Sequence, residues 1–308
     1  EYLLGSVGVI DTATNTASFV YTAPGNAVYG PGAAPHTQGG DPTAVAVSPN
    51  GKYLYVAYTP AAYYNRSGVS VYDLSTNQLI ALPADQGGRD LVVSRDSNRV
   101  YVSDGTVING VNNTAYGGLL SGGVTSPGIG SAVAISPDGG HIYITNMNAN
   151  TLSVVSTNGA TPNLTTISVG TAPFDVAVSQ DGHYVYVTNL NSNSVSVIDT
   201  TANTVAATIA VDKAPAGVAL SPDGSVLYVT TRSSSTYSST NGGGYYSTVS
   251  MIDTATNTVI GTPLLLTGGS PSLGYGPGVS PGAITVSPDG SHLYVSNSTG
   301  YTVSVYSA

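Results

Sequence analysis

The chain has 308 residues and a formal net charge of −9, and only 7% of its residues are charged. Glu occurs once, at Glu1, and Lys only at Lys52 and Lys213. Both residue types are common on helix surfaces, so the composition argues against helices. It also excludes a basic nucleic-acid-binding face and, with no Cys, a disulfide framework or a zinc–thiolate site.

The remaining composition favours an exported protein, extracellular or at the cell surface. The polar residues are mostly uncharged Ser, Thr and Asn, and Tyr is abundant. The first residue is Glu1 rather than Met, so we expect a processed or excised segment. No apolar run in the sequence reaches the roughly 18 to 20 residues that cross a bilayer.

One motif recurs along the chain at intervals of about 42 residues. It places a Ser-x-Asp-Gly-like turn between two alternating apolar runs, as in VAISPDGGHIYITN (133–146), VAVSQDGHYVYVTN (176–189) and ITVSPDGSHLYVSN (284–297). A second motif follows it, as in SVIDTTANTVAAT (196–208) and SMIDTATNTVIGT (250–262). Period-2 alternation of Val, Ile, Tyr and Thr between turn residues predicts four short strands in each repeat.

Repeats of this length with four strands are typical of propeller blades. We therefore predict an all-β fold, a closed β-propeller of four-stranded antiparallel blades. A single domain is expected to span residues 1–308, with the N- and C-terminal strands meeting at a seam. The number of predicted strands lies between that of six blades and that of seven.

The second strand of the repeat carries a family signature. Tyr186-Val187-Thr188-Asn189 resembles, letter for letter, the signature of the YVTN family of β-propeller repeats, and near copies occur at 143–146, 228–231 and 294–297. The resemblance covers nearly the whole chain outside its insertions. It implies seven blades, with six as the alternative. Similar repeats occur in surface-layer and bacterial secreted or periplasmic proteins, and related propellers include lactonases, so the resemblance does not assign a function.

The long insertions are all predicted to lie on one face. They interrupt only the connections between the second and third strands and between successive repeats, at 22–42, 59–68, 120–130, 232–247 and 267–282. Eight tyrosines lie in or beside them: Tyr29, Tyr58, Tyr63, Tyr64, Tyr237, Tyr245, Tyr246 and Tyr275. Tyr among Gly, Ser and Asn is typical of recognition loops, so we interpret this as a contact face. Tolerated surface loops are the alternative.

A candidate ligand site lies at the start of two first strands. Asp90 and Asp175 immediately precede the innermost strand of their repeats, where other repeats have Ala or Gly. Together with Arg89, Asp41 and His36, we expect them at a polar mouth of the central channel, suited to a ligand or a hard cation such as Ca²⁺. The alternative is that the two carboxylates accept hydrogen bonds from loop backbone.

Other candidate chemistry is weak. His141, His183 and His292 occupy the same slot at the entry to the second strand, so we interpret them as surface residues. Neither a metal site nor a cofactor is predicted from a recognised motif, since no GxSxG, HExxH or phosphate-loop pattern occurs. Four sequons are candidate glycosylation sites, at Asn65, Asn112, Asn163 and Asn297.

Two functions follow from these observations. The favoured one is a non-enzymatic module for binding, adhesion or surface assembly, in a surface layer or filament, whose partner is a protein, a glycan or another copy of the chain. The alternative is a lactonase-like hydrolase or lyase with a polar site in the central funnel. Because the sequence shows no convergent His–carboxylate pair, we predict a chain that is not an enzyme and name no catalytic residue.

Overall fold

A computed structural model describes the chain except for residues 1–5, 12–15, 22–40, 60–67, 85–87, 119–130, 159–162, 233–246, 267–280 and 298–301. The described residues form strands and turns, with no helix that could cross a membrane. The chain divides into two compact units. Unit 1 comprises residues 1–133 with 160–162, and unit 2 comprises residues 134–159 and 163–308.

Unit 1 contains a hairpin and two blades. The hairpin consists of β1 (Ser6–Asp11) and β2 (Thr16–Tyr21). Blade 1 consists of β3 (Asp41–Val47), β4 (Tyr53–Thr59), β5 (Gly68–Asp73) and β6 (Gln78–Ala84). Blade 2 consists of β7 (Leu91–Val93), β8 (Arg99–Val102), β9 (Thr106–Asn109) and β10 (Thr114–Gly118).

The remaining strands form four blades, the first of which begins at Val133, a residue of unit 1. Blade 3 consists of β11 (Val133–Ile135), β12 (His141–Asn146), β13 (Thr151–Ser156) and β14 (Leu164–Ser168). Blade 4 consists of β15 (Pro173–Val178), β16 (Tyr184–Asn189), β17 (Ser194–Asp199) and β18 (Thr204–Ala210). Blade 5 consists of β19 (Pro215–Leu220), β20 (Val226–Thr231), β21 (Ser247–Asp253) and β22 (Thr258–Leu266). Blade 6 consists of β23 (Pro281–Val286), β24 (His292–Asn297) and β25 (Thr302–Ser307).

In each blade, consecutive strands pair antiparallel, so the strand order follows the chain. The prediction of an all-β propeller fold with four-stranded antiparallel blades is therefore confirmed. Six blades are described, five of them with four strands and blade 6 with three. A seventh blade, a single closed domain and a seam that joins the termini stay predictions.

The Ser-x-Asp-Gly turns are held by one repeated set of hydrogen bonds. Ser136 Oγ donates to Asp138 Oδ1 at 2.5 Å and accepts the N–H of His141 at 2.9 Å. Gly139 has a φ of 73°, in the left-handed region that favours glycine. The same Ser–Asp pairing recurs at Ser94–Asp96, Ser179–Asp181, Ser221–Asp223 and Ser287–Asp289. These aspartates therefore stabilise turns, as their place in the repeat indicated.

Packing and hydrogen bonding in blade 4 explain the residue types of the YVTN signature. Tyr186 and Val187 are both buried because β16 is covered on both faces of the sheet. Asn189 is fully buried, and its Nδ2 donates to Ser194 Oγ at 3.2 Å and to Ser196 Oγ at 2.9 Å. The signature therefore ties the second strand of the blade to the third.

Candidate functional site

Each first strand of blades 4 to 6 begins with a β-bulge. In blade 4 the pairing of β15 with β16 shifts between Pro173 and Val176, so Phe174 and Asp175 lie outside the regular ladder. The same shift occurs at the start of β19 and of β23. A bulge re-aims side chains and leaves backbone groups without ladder partners.

The threonine of the signature supplies those partners. Thr188 Oγ1 accepts the N–H of Asp175 at 3.0 Å and donates to Ala216 O in the bulge of blade 5 at 2.7 Å. Equivalent bonds run from Thr145 Oγ1 to Phe174 O and from Thr230 Oγ1 to Gly282 O, both at 3.3 Å. One buried hydroxyl therefore pairs with a backbone group in the bulge of its own blade and with another in the bulge of the next blade.

Asp175 makes a second connection between blades 4 and 5. Its Oδ1 accepts the N–H of Val176 at 2.8 Å, and its Oδ2 accepts the N–H of Val218 in β19 at 2.9 Å. The side chain is partly buried. Backbone hydrogen bonding was the alternative interpretation of this residue, and the geometry supplies it. The ligand role of Asp175 stays a prediction.

Asp90 makes the same connection in unit 1. Its Oδ1 accepts the N–H of Leu91 at 2.8 Å, and its Oδ2 accepts the N–H of Val133 at 2.9 Å. Burial raises the pKa of Asp90 to about 6, against the opposing effect of the two N–H donors. The neighbouring Arg89 is exposed, and no ion pair joins it to a carboxylate in the described part of the chain.

Arg232 directly follows β20 and was not predicted as a site residue. Its Nε donates to Pro281 O at the start of blade 6 at 2.9 Å, and its Cζ lies 5.1 Å from the centroid of the Phe174 ring in blade 4. The side chain is partly buried, and burial lowers the pKa of its guanidinium. Arg232 is the one charged residue of the stretch 232–247, and that was the available signal, but the stretch was interpreted as a whole.

Unit 2 therefore brings three functional groups to one end of its first strands. Asp175 supplies a carboxylate, Arg232 a guanidinium and Phe174 an aromatic face. The guanidinium against the ring is a cation–π arrangement, which also restricts the orientation of the arginine. An anion-accepting group and a proton-accepting group thus lie on the same part of the fold.

The structure describes few of the other predicted ligand and contact residues. Asp41 begins β3, but its side chain and His36 lie outside the description, as do seven of the eight loop tyrosines. Tyr58 lies near the end of β4 and is partly buried. No group of three or more His, Asp or Glu that could hold a metal ion occurs among the described residues. The Ca²⁺ site stays a prediction.

The histidines and sequons have varied surroundings. His141, His183 and His292 are all exposed. Of the sequons, Asn112 and Asn163 are exposed and Asn65 lies outside the described residues. Asn297 is only 3% exposed, and its Nδ2 donates to Ser304 Oγ at 2.8 Å. Because glycans attach at that nitrogen, the folded blade does not present Asn297 for glycosylation.

Comparison with known proteins identifies related folds. A family model described as a lactonase with a seven-bladed β-propeller matches residues 83–207. No curated protein matches the chain.

The chain is similar to a hydrazine synthase from Kuenenia stuttgartiensis, with a TM-score of 0.72 and 20% identity over 92% of this chain and 80% of the other. It is also similar to a protein from Bacteroides uniformis named "putative 6-phosphogluconolactonase", with a TM-score of 0.66 and 16% identity over 98% of this chain and 87% of the other. A protein of the same name from Bacteroides fragilis has a TM-score of 0.67 and 15% identity over 98% and 86% of the two chains.

These comparisons confirm the propeller and correct one prediction. At such identities the solved structures show the fold alone. The prediction of a chain that is not an enzyme is contradicted by the match to the lactonase family model. The missing His–carboxylate pair was too narrow a criterion, because carboxylates and arginines also serve hydrolytic sites. Membership of the YVTN family stays a prediction.

Proposed function

We propose that the chain is a hydrolase that opens a cyclic ester at the Phe174–Asp175–Arg232 end of unit 2. The observation that carries this proposal is the lactonase family match over residues 83–207, a range that contains both Phe174 and Asp175. The two similar structures named as lactonases support it at the level of fold. The proposal replaces the surface-binding function that the composition favoured. No contact among the described residues supports that function.

Opening a lactone requires a base that activates water at the ester carbonyl. Asp175 has the chemistry for this step, because an ionised carboxylate accepts protons and hydrogen bonds. The two N–H donors hold the carboxylate in a fixed orientation at the end of its strand. Since the side chain is only partly buried, water has access to it.

The reaction balances with water as the only co-reactant. Asp175 accepts a proton from water as the water oxygen bonds to the carbonyl carbon. The ring C–O bond then breaks, the leaving oxygen takes the proton back from Asp175, and the product is a hydroxy acid. At neutral pH the new carboxyl group releases one proton for each lactone opened.

Proton release tests the proposal directly. Five- and six-membered sugar lactones are added to the purified chain in a pH-stat at pH 6.5, where spontaneous opening is slow enough to subtract. We expect at least one lactone to be opened with saturation kinetics and one proton released per molecule, while heat-denatured chain is inactive. Rates equal to those of buffer across the whole panel would overturn the proposal.

A further inference from the structure

Among the described residues of unit 2, no carboxylate contributes to the pKa shift of Arg232. Every acidic residue of this unit lies in the described ranges, at Asp138, Asp175, Asp181, Asp199, Asp212, Asp223, Asp253 and Asp289. Among the described residues, the side chain of Arg232 contacts Pro281 O and the Phe174 ring, and burial rather than a charged neighbour shifts the pKa of its guanidinium. The ranges of unit 2 outside the description, 233–246, 267–280 and 298–301, contain no Asp or Glu.

The hydrogen-bonding groups of Arg232 are also incompletely used. A guanidinium has five N–H donors, and only the one on Nε has an acceptor among the described residues. Nη1 and Nη2, which present the remaining donors, have no hydrogen-bond partner in that part of the chain. Burial makes a charged donor without an acceptor costly, so an anion that pairs with Nη1 and Nη2 would be stabilised at this partly buried position.

Two contacts with described residues fix the orientation of Arg232. Pro281 O holds one edge through Nε, and the Phe174 ring lies against the guanidinium. The donors of Nη1 and Nη2 are left as a rigid fork, which matches the two oxygens of a carboxylate or a phosphate. Phe174 is followed directly by Asp175. A molecule held by the fork therefore lies beside the residue that precedes Asp175 in the chain.

We propose that Arg232 binds an anionic group, a carboxylate or a phosphate, on the molecule that the chain recognises. That this molecule is the lactone substrate or its hydroxy-acid product rests on the proposed function. The anion-binding role itself rests on the geometry of Arg232. Arg232 then acts by positioning substrate, so its loss raises KM more than it lowers kcat.

Binding of small anions tests this role without an activity assay. Sodium D-gluconate and sodium phosphate are titrated separately into the chain by calorimetry, at constant ionic strength because exposed charges are screened by salt. We expect at least one of the two to bind, and the one that binds more tightly identifies a carboxylate or a phosphate as the preferred group. Arg232→Gln should weaken binding by at least about tenfold, and Arg232→Lys by less, because lysine keeps the charge but not the fork.

Two further variants make the result specific. Arg95→Gln removes an exposed arginine in the turn between β7 and β8, outside the candidate site, and should leave anion binding unchanged. Phe174→Leu keeps Arg232 but removes its aromatic support, and should weaken binding several-fold, about the effect of one cation–π contact. Phe174→Leu also tests the anion-binding role if Arg232→Gln does not fold. Circular dichroism and the melting temperature show whether Arg232→Gln is folded.

The outcomes separate this inference from the proposed function. If neither anion binds, or if Arg232→Gln and Phe174→Leu bind as wild type does, the anion role is overturned even where lactones are hydrolysed. If Arg232→Gln loses anion binding while no lactone is opened by the wild type, the anion role holds and the hydrolase proposal fails. An increase of KM for an anionic lactone only, with the KM of a neutral lactone unchanged, supports both.

Discussion

Asp175 Oδ2 accepts the backbone N–H of Val218 at 2.9 Å across a separation of 43 residues. In unit 1, Asp90 Oδ2 accepts the N–H of Val133 at the same distance and separation. Each carboxylate therefore joins the first strands of two successive blades, and we refer to the two as carboxylate links. Because one repeat occupies about this length, the same position of the fold is joined in both cases.

Removing a carboxylate link should destabilise the fold. Asp90→Ala leaves the N–H groups of Leu91 and Val133 without their acceptor, so we expect the free energy of unfolding at pH 5 to fall by about 1–3 kcal/mol. Urea denaturation measures it. Asp212→Ala, at an exposed position, should change it by less than about 0.5 kcal/mol. Equal effects of the two variants would mean that the link contributes nothing.

The link in unit 1 should also depend on pH. The pKa of Asp90 is raised from 3.8 to about 6 in the fold, so the folded chain binds the proton more tightly than the unfolded chain. Its contribution to stability is therefore fully present below about pH 4 and is lost as pH rises through about 6. The stability advantage of wild type over Asp90→Asn should shrink between pH 4.5 and pH 7. An advantage that grows over this range would show that the folded state stabilises the ionised form.

The turn aspartates should show the opposite dependence. The hydroxyl of Ser221, followed by the N–H and hydroxyl of Ser225, lowers the pKa of Asp223 from 3.8 to about 2. The stability that this group contributes is therefore present above about pH 4 and is lost as pH falls through about 2. Wild type and Asp223→Asn should differ in urea midpoint at pH 6 and converge near pH 2. A constant difference would contradict the hydrogen-bonding explanation.

The threonine of the signature should be required for its hydroxyl. Thr188 is fully buried, and Thr188→Val keeps its shape but removes both the acceptor of Asp175 N–H and the donor to Ala216 O. We expect a loss of about 1–3 kcal/mol in the free energy of unfolding, because two buried backbone groups lose their partner. Thr188→Ser keeps the hydroxyl and should lose less. Equal losses from both variants would assign the effect to packing of the methyl group.

Much of the fold could be predicted from the sequence because its determinants are local. The Ser136–Asp138 turn and the alternation in β16 each involve residues close in the chain, and both recur in other repeats. The links between blades could not be predicted in the same way. Asp90 and Asp175 stood out only because other repeats have Ala or Gly there, and their acceptor geometry depends on a strand about one repeat further along.

The candidate site was less predictable than the fold. Arg232 contacts Phe174 and Pro281, which lie 58 residues before it and 49 residues after it, so no local pattern relates the three. Composition favoured a non-enzymatic surface protein. Low charge and loop tyrosines are properties of the protein surface, and they carry no information on which residues form the candidate site. The lactonase match is a signal of a different kind, because a family model compares many positions together.

The most direct test of the proposed hydrolase compares Asp175→Asn with Asp90→Asn. The two substitutions disturb equivalent carboxylate links, but only Asp175 lies beside Phe174, the residue that Arg232 contacts. We measure kcat by proton release at pH 6.5 for the lactone that wild type opens fastest. Both variants are first shown to be folded at the assay temperature. The proposal predicts that Asp175→Asn lowers kcat by roughly 10²–10⁴-fold, as loss of a general base does, while Asp90→Asn stays within about twofold of wild type. Equal kcat values for the two variants would contradict the assignment of the reaction to this end of unit 2.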